Sequence, residues 1–470
     1  MQKNIEMELK LLISRRNLKK LLAGDLLKQA VRSGSERQRH LVSSYYDTAD
    51  WALKRHGIAY RVRDKGDGAF EATVKTTRHN AGGLSERLEL NVPLTSAEPV
   101  LEGFGELGLG YELTELAPDG VVKLFTVDVE RTTYLLDFNG AVLELAVDKG
   151  RITAGKKHTA IEEMEIEIKE GGLDALLELA SRIAATMPVF AEKRSKFARG
   201  LALLGQAADE VSSKARITAD GNIRQQVLAI ILQRGDGLLA VQNGLIKNAA
   251  LDAADGKYLV KNLQYMDSLI SFGSVFAADD RAKQAAELIN QWQRALYKLR
   301  DIAALEKLWA EISSVSEEDL SQSTLMAKAA EVKDDQLNVL HQLAKAGSLT
   351  EAVYVAASWL AGSAWQNEEY LQAESTVRCR LLDWQEELAA VEDDAARLAL
   401  LDKMLCLGKC VESRQFIKLF KAAKGLRKVI KSDLRRLKLQ QTVAELIKMG
   451  KSRALSREAG MVTGWLLAGK

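Results

Sequence analysis

Glu6, Glu8 and Lys10 alternate with Ile5, Met7, Leu9 and Leu11 near the start of the chain. In a strand this spacing puts two carboxylates and an ammonium side by side on one face and apolar groups on the other. Hard carboxylate oxygens so placed can hold Mg2+ or Mn2+, which in turn bridges phosphate oxygens. The split recurs in five later segments. Arg61 and Arg63 oppose Tyr60 and Val62; Glu71, Thr73 and Lys75 oppose Phe70, Ala72 and Val74; Ser85, Arg87, Glu89 and Asn91 oppose Leu84, Leu88, Leu90 and Val92. Glu144 and Asp148 oppose Leu143, Leu145 and Val147, while Glu163, Glu165 and Glu167 oppose Met164, Ile166 and Ile168. Any one charged strand face is ordinarily a solvated face carrying cross-strand ion pairs. Six of them, sorted into mainly cationic and mainly acidic neighbours, argue instead for a barrel with a charged lumen and an apolar outside. Arg131 falls in phase with Val127 and Val129 unless a bulge shifts the register, which leaves its direction open.

The chemistry that suits such a set is recognition of a polyanion through a metal. Guanidinium groups of Arg61, Arg63, Arg87 and Arg131 can grip phosphate oxygens in bidentate fashion, and Lys10 and Lys75 act as point charges. Hydrolysis then needs a water positioned and acidified by a second cation, with positive groups stabilising the phosphate that leaves.

The elements that must position these groups read as strands near 4–13, 40–47, 57–64, 69–76, 84–92, 123–138, 141–149 and 158–169, with helical spacing at 17–32, 97–115 and 172–187. Asn80-Ala81-Gly82-Gly83 and Asp64-Lys65-Gly66-Asp67-Gly68 read as hairpin connections. Eight mostly antiparallel strands can close a barrel and so remove exposed edges. All four prolines lie at or before Pro188, and from Ala219 onward long Ala/Leu/Lys/Glu-rich stretches carry helical spacing, as at Leu288, Trp292, Ala295, Leu296 and Leu299. The expected class is α+β: a barrel in 1–203, a polar linker in 204–218 and an all-helical domain in 219–470.

At 470 residues two or more domains are expected, and 66 basic against 64 acidic residues give no global case for nucleic acid or membrane. Cys379, Cys406 and Cys410 are too few and too clustered for a disulfide framework and suit small buried roles in a reducing compartment. His40, His56, His79 and His158 have no zinc-site spacing. No apolar run is long enough to span a bilayer and no cleavable leader is evident, so a cytoplasmic protein is expected.

Glu6-Met7-Glu8-Leu9-Lys10 resembles the Glu-x-Glu-x-Lys signature of the CYTH superfamily, the triphosphate tunnel metalloenzymes. It is followed in that family's order by Ser44-Tyr45-Tyr46-Asp47-Thr48-Ala49-Asp50 and Gly57-Ile58-Ala59-Tyr60-Arg61-Val62-Arg63. Arg87-Leu88-Glu89, Glu144 to Gly150, Glu163 to Glu167 and Ser195 to Gly200 match the later strands and tail, so the likeness covers roughly residues 1–203. The resemblance implies an eight-stranded antiparallel tunnel that binds a triphosphate and divalent metal, Mg2+ or Mn2+, as two ions. It implies Glu6, Glu8, Asp148, Glu163 and Glu165 for metal, and Lys10, Arg61, Arg63, Lys75, Arg87 and Arg131 for phosphate, with Glu6, Glu8, Lys10 and Lys75 as the catalytic group. Lys196 and Arg199 either add to the phosphate site or, in the case of the tail lysine, cap the barrel structurally.

The helical half resembles a CHAD domain, through its arrangement and composition and through Gly425 to Leu437, a basic helical segment. The histidine that usually precedes that segment is missing, and His341 is the sole histidine of this half, which sets it apart from polyphosphate-binding members. Arg414, Lys418, Lys421, Lys424, Lys428, Lys431, Arg435 and Lys438 follow steps of three and four, so they share a helix side, with Ile417, Phe420, Leu426, Ile430 and Leu437 expected to pack opposite. That stripe is either a solvated face or a polyanion dock. Six of seven tryptophans, Trp292, Trp309, Trp359, Trp365, Trp384 and Trp465, lie here and read as core; RNA binding would need them exposed beside the stripe. The resulting expectation is hydrolysis of tripolyphosphate to diphosphate and phosphate. Thiamine triphosphatase and adenylate cyclase on the same fold compete with it, as does a module that binds long-chain polyphosphate with little turnover.

Overall fold

A computed structural model describes residues 5–66, 68–207, 214–219, 221–247, 250–317, 320–363, 365, 372–412, 416–450 and 452–468. The chain divides into two compact units, Met1–Lys214 and Ala215–Lys470. Asp67 of the expected Asp64–Gly68 turn, residues 208–213 of the linker, and Arg414 of the basic stripe lie outside the described residues.

The first unit is a closed antiparallel barrel. Its strands are β1 (Ile5–Leu12), β2 (Arg37–Asp47), β3 (Ile58–Asp64), β4 (Phe70–Ala81), β5 (Leu84–Leu94), β6 (Val122–Phe138), β7 (Ala141–Ala154) and β8 (Lys157–Glu170), with a short β9 (Phe190–Ala191) against β1. The order β5-β4-β3-β2-β6-β7-β8-β1 is closed by β1 pairing with β5, where Glu6 faces Arg87 and Glu8 faces Ser85. Gly82 and Gly83, both with positive φ, make the tight β4–β5 connection. Helices α1 (Arg15–Ala23), α2 (Asp25–Ala30), α3 (Ala52–Arg55), α4 (Leu113–Leu116), α5 (Leu173–Thr186) and α6 (Lys196–Leu203) accompany the strands.

Two expectations change. The helix read over 97–115 is only α4 and one irregular turn, because Gly103, Gly108 and Gly110 take positive φ in its middle and break the ladder. The reading at 17–32 is two helices: Ser14 accepts from the Asn17 N–H to start α1, and Gly24 separates α1 from α2. The apolar outer face is not left to water. Tyr60, Val62, Ala72, Val74 and Leu90 pack with Leu53 of α3, Phe104 and Leu113 of α4 as one buried cluster.

The lumen departs from expectation along its length. The β6–β7 ladder runs without a bulge from Thr126 to Phe138, so Arg131, Val129 and Val127 share one face. That face points inward. Val127, Val129, Leu41, Tyr45, Phe125, Ile152 and Ile161 form a buried cluster with Leu201 of α6, so the inner surface is ionic in one part and apolar where α6 is seated. Gly200 makes that seat possible, since a Cβ there would lie 2.3 Å from the Phe125 ring.

The second unit is all helix: α7 (Ile223–Lys247), α8 (Ala253–Gly273), α9 (Asp280–Val315), α10 (Thr324–Ala346), α11 (Ser348–Gly362), α12 (Ala373–Ala390), α13 (Asp394–Cys410), α14 (Ile417–Lys448) and α15 (Arg453–Leu467). Five of the six tryptophans are core: Trp292 donates to Ser348 Oγ at 2.7 Å, Trp359 donates to the Ala277 carbonyl at 3.2 Å, and Trp309 packs with Leu305, Leu446 and Val462, a cluster against which Trp465 is half-buried. Lys418, Lys421, Lys424, Lys428, Lys431 and Arg435 of α14 are exposed, and Lys438 is half-buried. The expected packing face is corrected at two positions, because Ile417 and Leu437 are exposed while Ile430 is buried. A seven-residue step drifts around a 3.6-residue helix, and the buried line of α14 passes from Ala423 and Ile430 to Leu434, Leu439 and Val443. Cys406 and Cys410 are buried, and burial pushes the Cys410 thiol up to about 11; Cys379, against expectation, is exposed. His341 donates to the Leu245 carbonyl at 2.6 Å.

Candidate metal and anion site

Because each barrel strand alternates, closure brings the ionic faces of β1, β3, β4, β5, β7 and β8 around one cavity of about 570 Å3. Its lining includes Glu6, Glu8, Lys10, Arg61, Arg63, Lys75, Arg87, Arg131, Glu165 and Lys196, and lysine and arginine outnumber the carboxylates there. Asp148, Glu163 and Arg199 are buried beside it.

The cations and acids are joined in two connected groups. In the first, Lys75 donates to Glu6 Oε2 at 2.6 Å and bridges to Glu89 Oε2 at 2.7 Å, and Arg61 lies 3.7 Å from Glu89. Burial pushes the Glu6 carboxyl up to about 8, against the pull of Lys75. Burial acts in the same direction on Glu89, but Lys75 and Arg61 outweigh it and hold Glu89 below the usual range. Glu8 accepts from Arg87 at 2.9 Å and from Ser85 at 3.3 Å. Lys10 reaches Glu8 at 3.6 Å and Glu165 at 3.5 Å, which links this group to the next.

In the second group Asp148, Glu163 and Glu165 each offer an oxygen within 4.8 Å of the others, the one cluster of this kind among the described residues. Arg131 holds both oxygens of Asp148 at 2.6 Å and Glu165 at 2.6 Å. Lys196, from the first turn of α6, places its Nζ 2.7 Å from Asp148 and 2.9 Å from Glu165 and also donates to Glu163. Arg199, one turn on, donates to Glu163 and to the Ala160 carbonyl. Despite burial, Lys196 and Arg131 hold the Asp148 and Glu165 carboxyls below their usual range. Three hard carboxylates so close, with an ammonium standing among them, form a donor set of the kind that holds a hard divalent cation. Glu6 and Glu8 do not join that trio: one is engaged by Lys75, the other by Arg87.

Arg63 stands apart from both groups, donating to the neutral Ser43 Oγ at 2.9 Å. Burial and the like charges of Arg61 and Arg131 push its guanidinium down to about 9. Two further lumen residues, Tyr45 and Glu89, have no site role in the sequence reading, although Glu89 stands there on the ionic face. Burial alone would raise the Tyr45 phenol, but Arg61, Arg63, Lys196 and Lys75 around it hold it below its usual value. Glu89 bridges two cations. Both carried a signal: Tyr45 is two residues from Ser43 on one strand face, and Glu89 lies in phase with Arg87.

The sequence profile of the CYTH domain matches residues 4–201. The barrel unit is a CYTH domain. An inorganic triphosphatase of Haemophilus influenzae is 29% identical to this chain over 163 residues, which are 35% of this chain and 46% of that protein, so the match spans less than half of the relative. Solved structures similar to the CYTH domain include a candidate adenylyl cyclase of Hippeastrum with a dominant triphosphatase activity, at 20% identity over 43% of this chain and 96% of that one, TM-score 0.31. A candidate adenylate cyclase of Bacillus halodurans is 20% identical over 42% of this chain and 98% of its own, TM-score 0.27. CYTH enzymes depend on divalent metal, and a cluster of buried carboxylates that could hold one lies on β7 and β8.

Proposed function

We propose that the CYTH barrel is a metal-dependent phosphoanhydride hydrolase that cleaves inorganic tripolyphosphate to diphosphate and phosphate. The observation that carries this reading is a barrel cavity rich in lysine and arginine next to a trio of carboxylates. The inorganic triphosphatase relative points the same way. Arg63, with no carboxylate facing it in the ion pairs of the described residues, is the cation best placed to take a phosphate oxygen, since an anion would relieve its repulsion from Arg61 and Arg131. Lys10, Arg61, Lys75, Arg87 and Arg131 would hold the remaining oxygens, with Lys196 and Arg199 at the α6 side. Glu6 and Glu8 would join Asp148, Glu163 and Glu165 in the metal region, and Glu6, Glu8, Lys10 and Lys75 form the catalytic group. These carboxylates would hold two Mg2+ or Mn2+ ions, which when bound would supply charge neutralisation and a more acidic water. Attack of the water oxygen on the terminal phosphorus forms one P–O bond and breaks the bond to the bridging oxygen, which leaves with diphosphate; the water's proton passes to solvent or to the departing diphosphate, and Lys10 and Lys75 offset the charge.

Phosphate release from tripolyphosphate, thiamine triphosphate and ATP, each with Mg2+ or Mn2+, tests the substrate. Tripolyphosphate should turn over on the order of tenfold faster than either rival, a margin that needs only modest differential binding. Faster release from thiamine triphosphate would reassign the substrate, and cyclic AMP formation from ATP would remove the hydrolase reading. EDTA should abolish release without loss of secondary structure.

For the rest of the chain we infer a CHAD-like helical domain over 219–470, joined to 1–203 through 204–218. Its composition and the exposed cations of α14 support this. Those cations, Lys418 to Arg435, would dock long-chain polyphosphate in a salt-sensitive way. RNA is disfavoured, because base stacking needs exposed aromatics and Trp292, Trp359 and Trp384 are buried. No helix among the described residues is long and apolar enough to cross a membrane, and we place the protein in the cytoplasm.

A further inference from the structure

The trio Asp148, Glu163 and Glu165 is already neutralised. Lys196, Arg131 and Arg199 supply three positive charges to the three carboxylates, with Lys10 a further 3.5 Å from Glu165; the carboxylates, Lys196 and Arg199 are buried and Arg131 is half-buried. A divalent ion entering this group as it stands would bring two positive charges into a buried, balanced cluster, which is costly in a poorly solvated interior. One of the three cations must therefore give way. Arg131 is held by paired hydrogen bonds to Asp148 and a third to Glu165, and Arg199 is tied to the Ala160 carbonyl as well as Glu163. Lys196 differs from both. Its flexible stem carries a single ammonium whose acceptors in the described contacts are those same three carboxylates, and the residue lines the cavity, so its Nζ has room to turn toward the lumen.

The helix that carries it does not share that freedom. Ser195 Oγ accepts from the Ala198 N–H at 3.0 Å, Phe197 stacks on Tyr45 with ring centroids 5.6 Å apart, and Gly200 and Leu201 lie in the apolar part of the lumen against Phe125. Resting on the metal-dependent reading above, we propose that Lys196 is an exchangeable internal counter-ion: it occupies the divalent site when no phosphate is present and turns to the substrate's oxygens when metal enters, while α6 stays seated. Metal and triphosphate then bind cooperatively, because the phosphate chain both receives the displaced ammonium and balances the incoming charge.

The test is Mn2+ affinity, measured by calorimetry on the full chain with and without the slowly hydrolysed analogue imidotriphosphate. Wild type should bind Mn2+ alone weakly and on the order of tenfold more tightly with the analogue, a coupling of ordinary size for linked sites. Lys196→Met should bind Mn2+ alone about tenfold more tightly than wild type and lose most of that coupling. Circular dichroism and chemical denaturation of Lys196→Met, expected to match wild type, guard against a folding defect in that variant. Amide exchange over 196–203 should not rise on Mn2+ addition. Equal Mn2+ affinity of wild type and Lys196→Met, or no gain from imidotriphosphate in wild type, overturns the proposal and leaves the hydrolase reading standing. Loss of α6 protection on Mn2+ binding overturns the side-chain exchange in favour of helix release. No Mn2+ uptake by any chain under either condition overturns both readings together.

Discussion

Charge is handled in opposite ways in the two units. In the CYTH barrel Glu8, Lys10, Arg87, Asp148, Glu165 and Lys196 are buried and matched within hydrogen-bonding or close ion-pair distance. On α14 of the helical unit Lys421, Lys424 and Lys428 stand in water over a buried line of Ala423, Ile430 and Leu434. A cation in water is screened and worth little to stability or binding by itself. A cation withdrawn from water must be answered by an anion, and a cavity in which basic groups are in surplus is poised to take that anion from outside.

Substitutions should sharpen that contrast, the barrel variants having the larger effects. Arg61→Ala and Glu6→Gln should each lower phosphate release from tripolyphosphate on the order of a hundredfold or more while circular dichroism stays unchanged, a loss typical of removing a group that stabilises transition-state charge. Full turnover in either would place the chemistry elsewhere. Gly200→Ala should come next, destabilising the barrel unit by about 1–3 kcal/mol in chemical denaturation, because the added methyl meets the Phe125 ring.

A smaller effect is expected from pH. The Glu6 carboxyl titrates higher in the fold than its ordinary 4.5, so the stability that it contributes is fully present below pH 4.5 and is lost as pH rises through about 8. Metal-free wild type should therefore lose more melting temperature across that interval than Glu6→Gln, which has no proton to release; equal losses would mean that Lys75 outweighs burial. The smallest change is expected on α14. Lys424→Ala with Lys428→Ala should leave tripolyphosphate turnover unaltered and shift stability by no more than about 0.5 kcal/mol, as ordinary surface substitutions do. A large loss of turnover would erase the distinction between the two units.

The lumen face of β1, β3 to β5, β7 and β8 was legible because alternation has a period of two, and one buried face assigns every residue to its side. At β6 the rule left the direction open, because Arg131 shares its phase with Val127 and Val129; all three face inward, where α6 gives the valines an apolar partner. The stretch 97–115 misled: Leu101, Phe104 and Leu113 have helical spacing, but the glycines between them adopt positive φ and the segment folds as a cover over Tyr60 and Leu90. On α14, reading Leu437 as buried extended a seven-residue step past the point where the helix has turned it to solvent.

Residue order alone put the carboxylates, lysines and arginines of these strands on one shared face and the leucines and valines on the other, and six such faces argued for a charged interior. It also marked the second half as helical and its tryptophans as core. Which cation answers which acid was settled by the fold. The pairing of Lys196 with Asp148, Glu163 and Glu165 depends on how far the barrel's strands are staggered and on Gly200 letting α6 lie against Phe125. Neither quantity is written in local pattern, because alternation along a strand says which way a side chain points and nothing about what lies across the lumen from it.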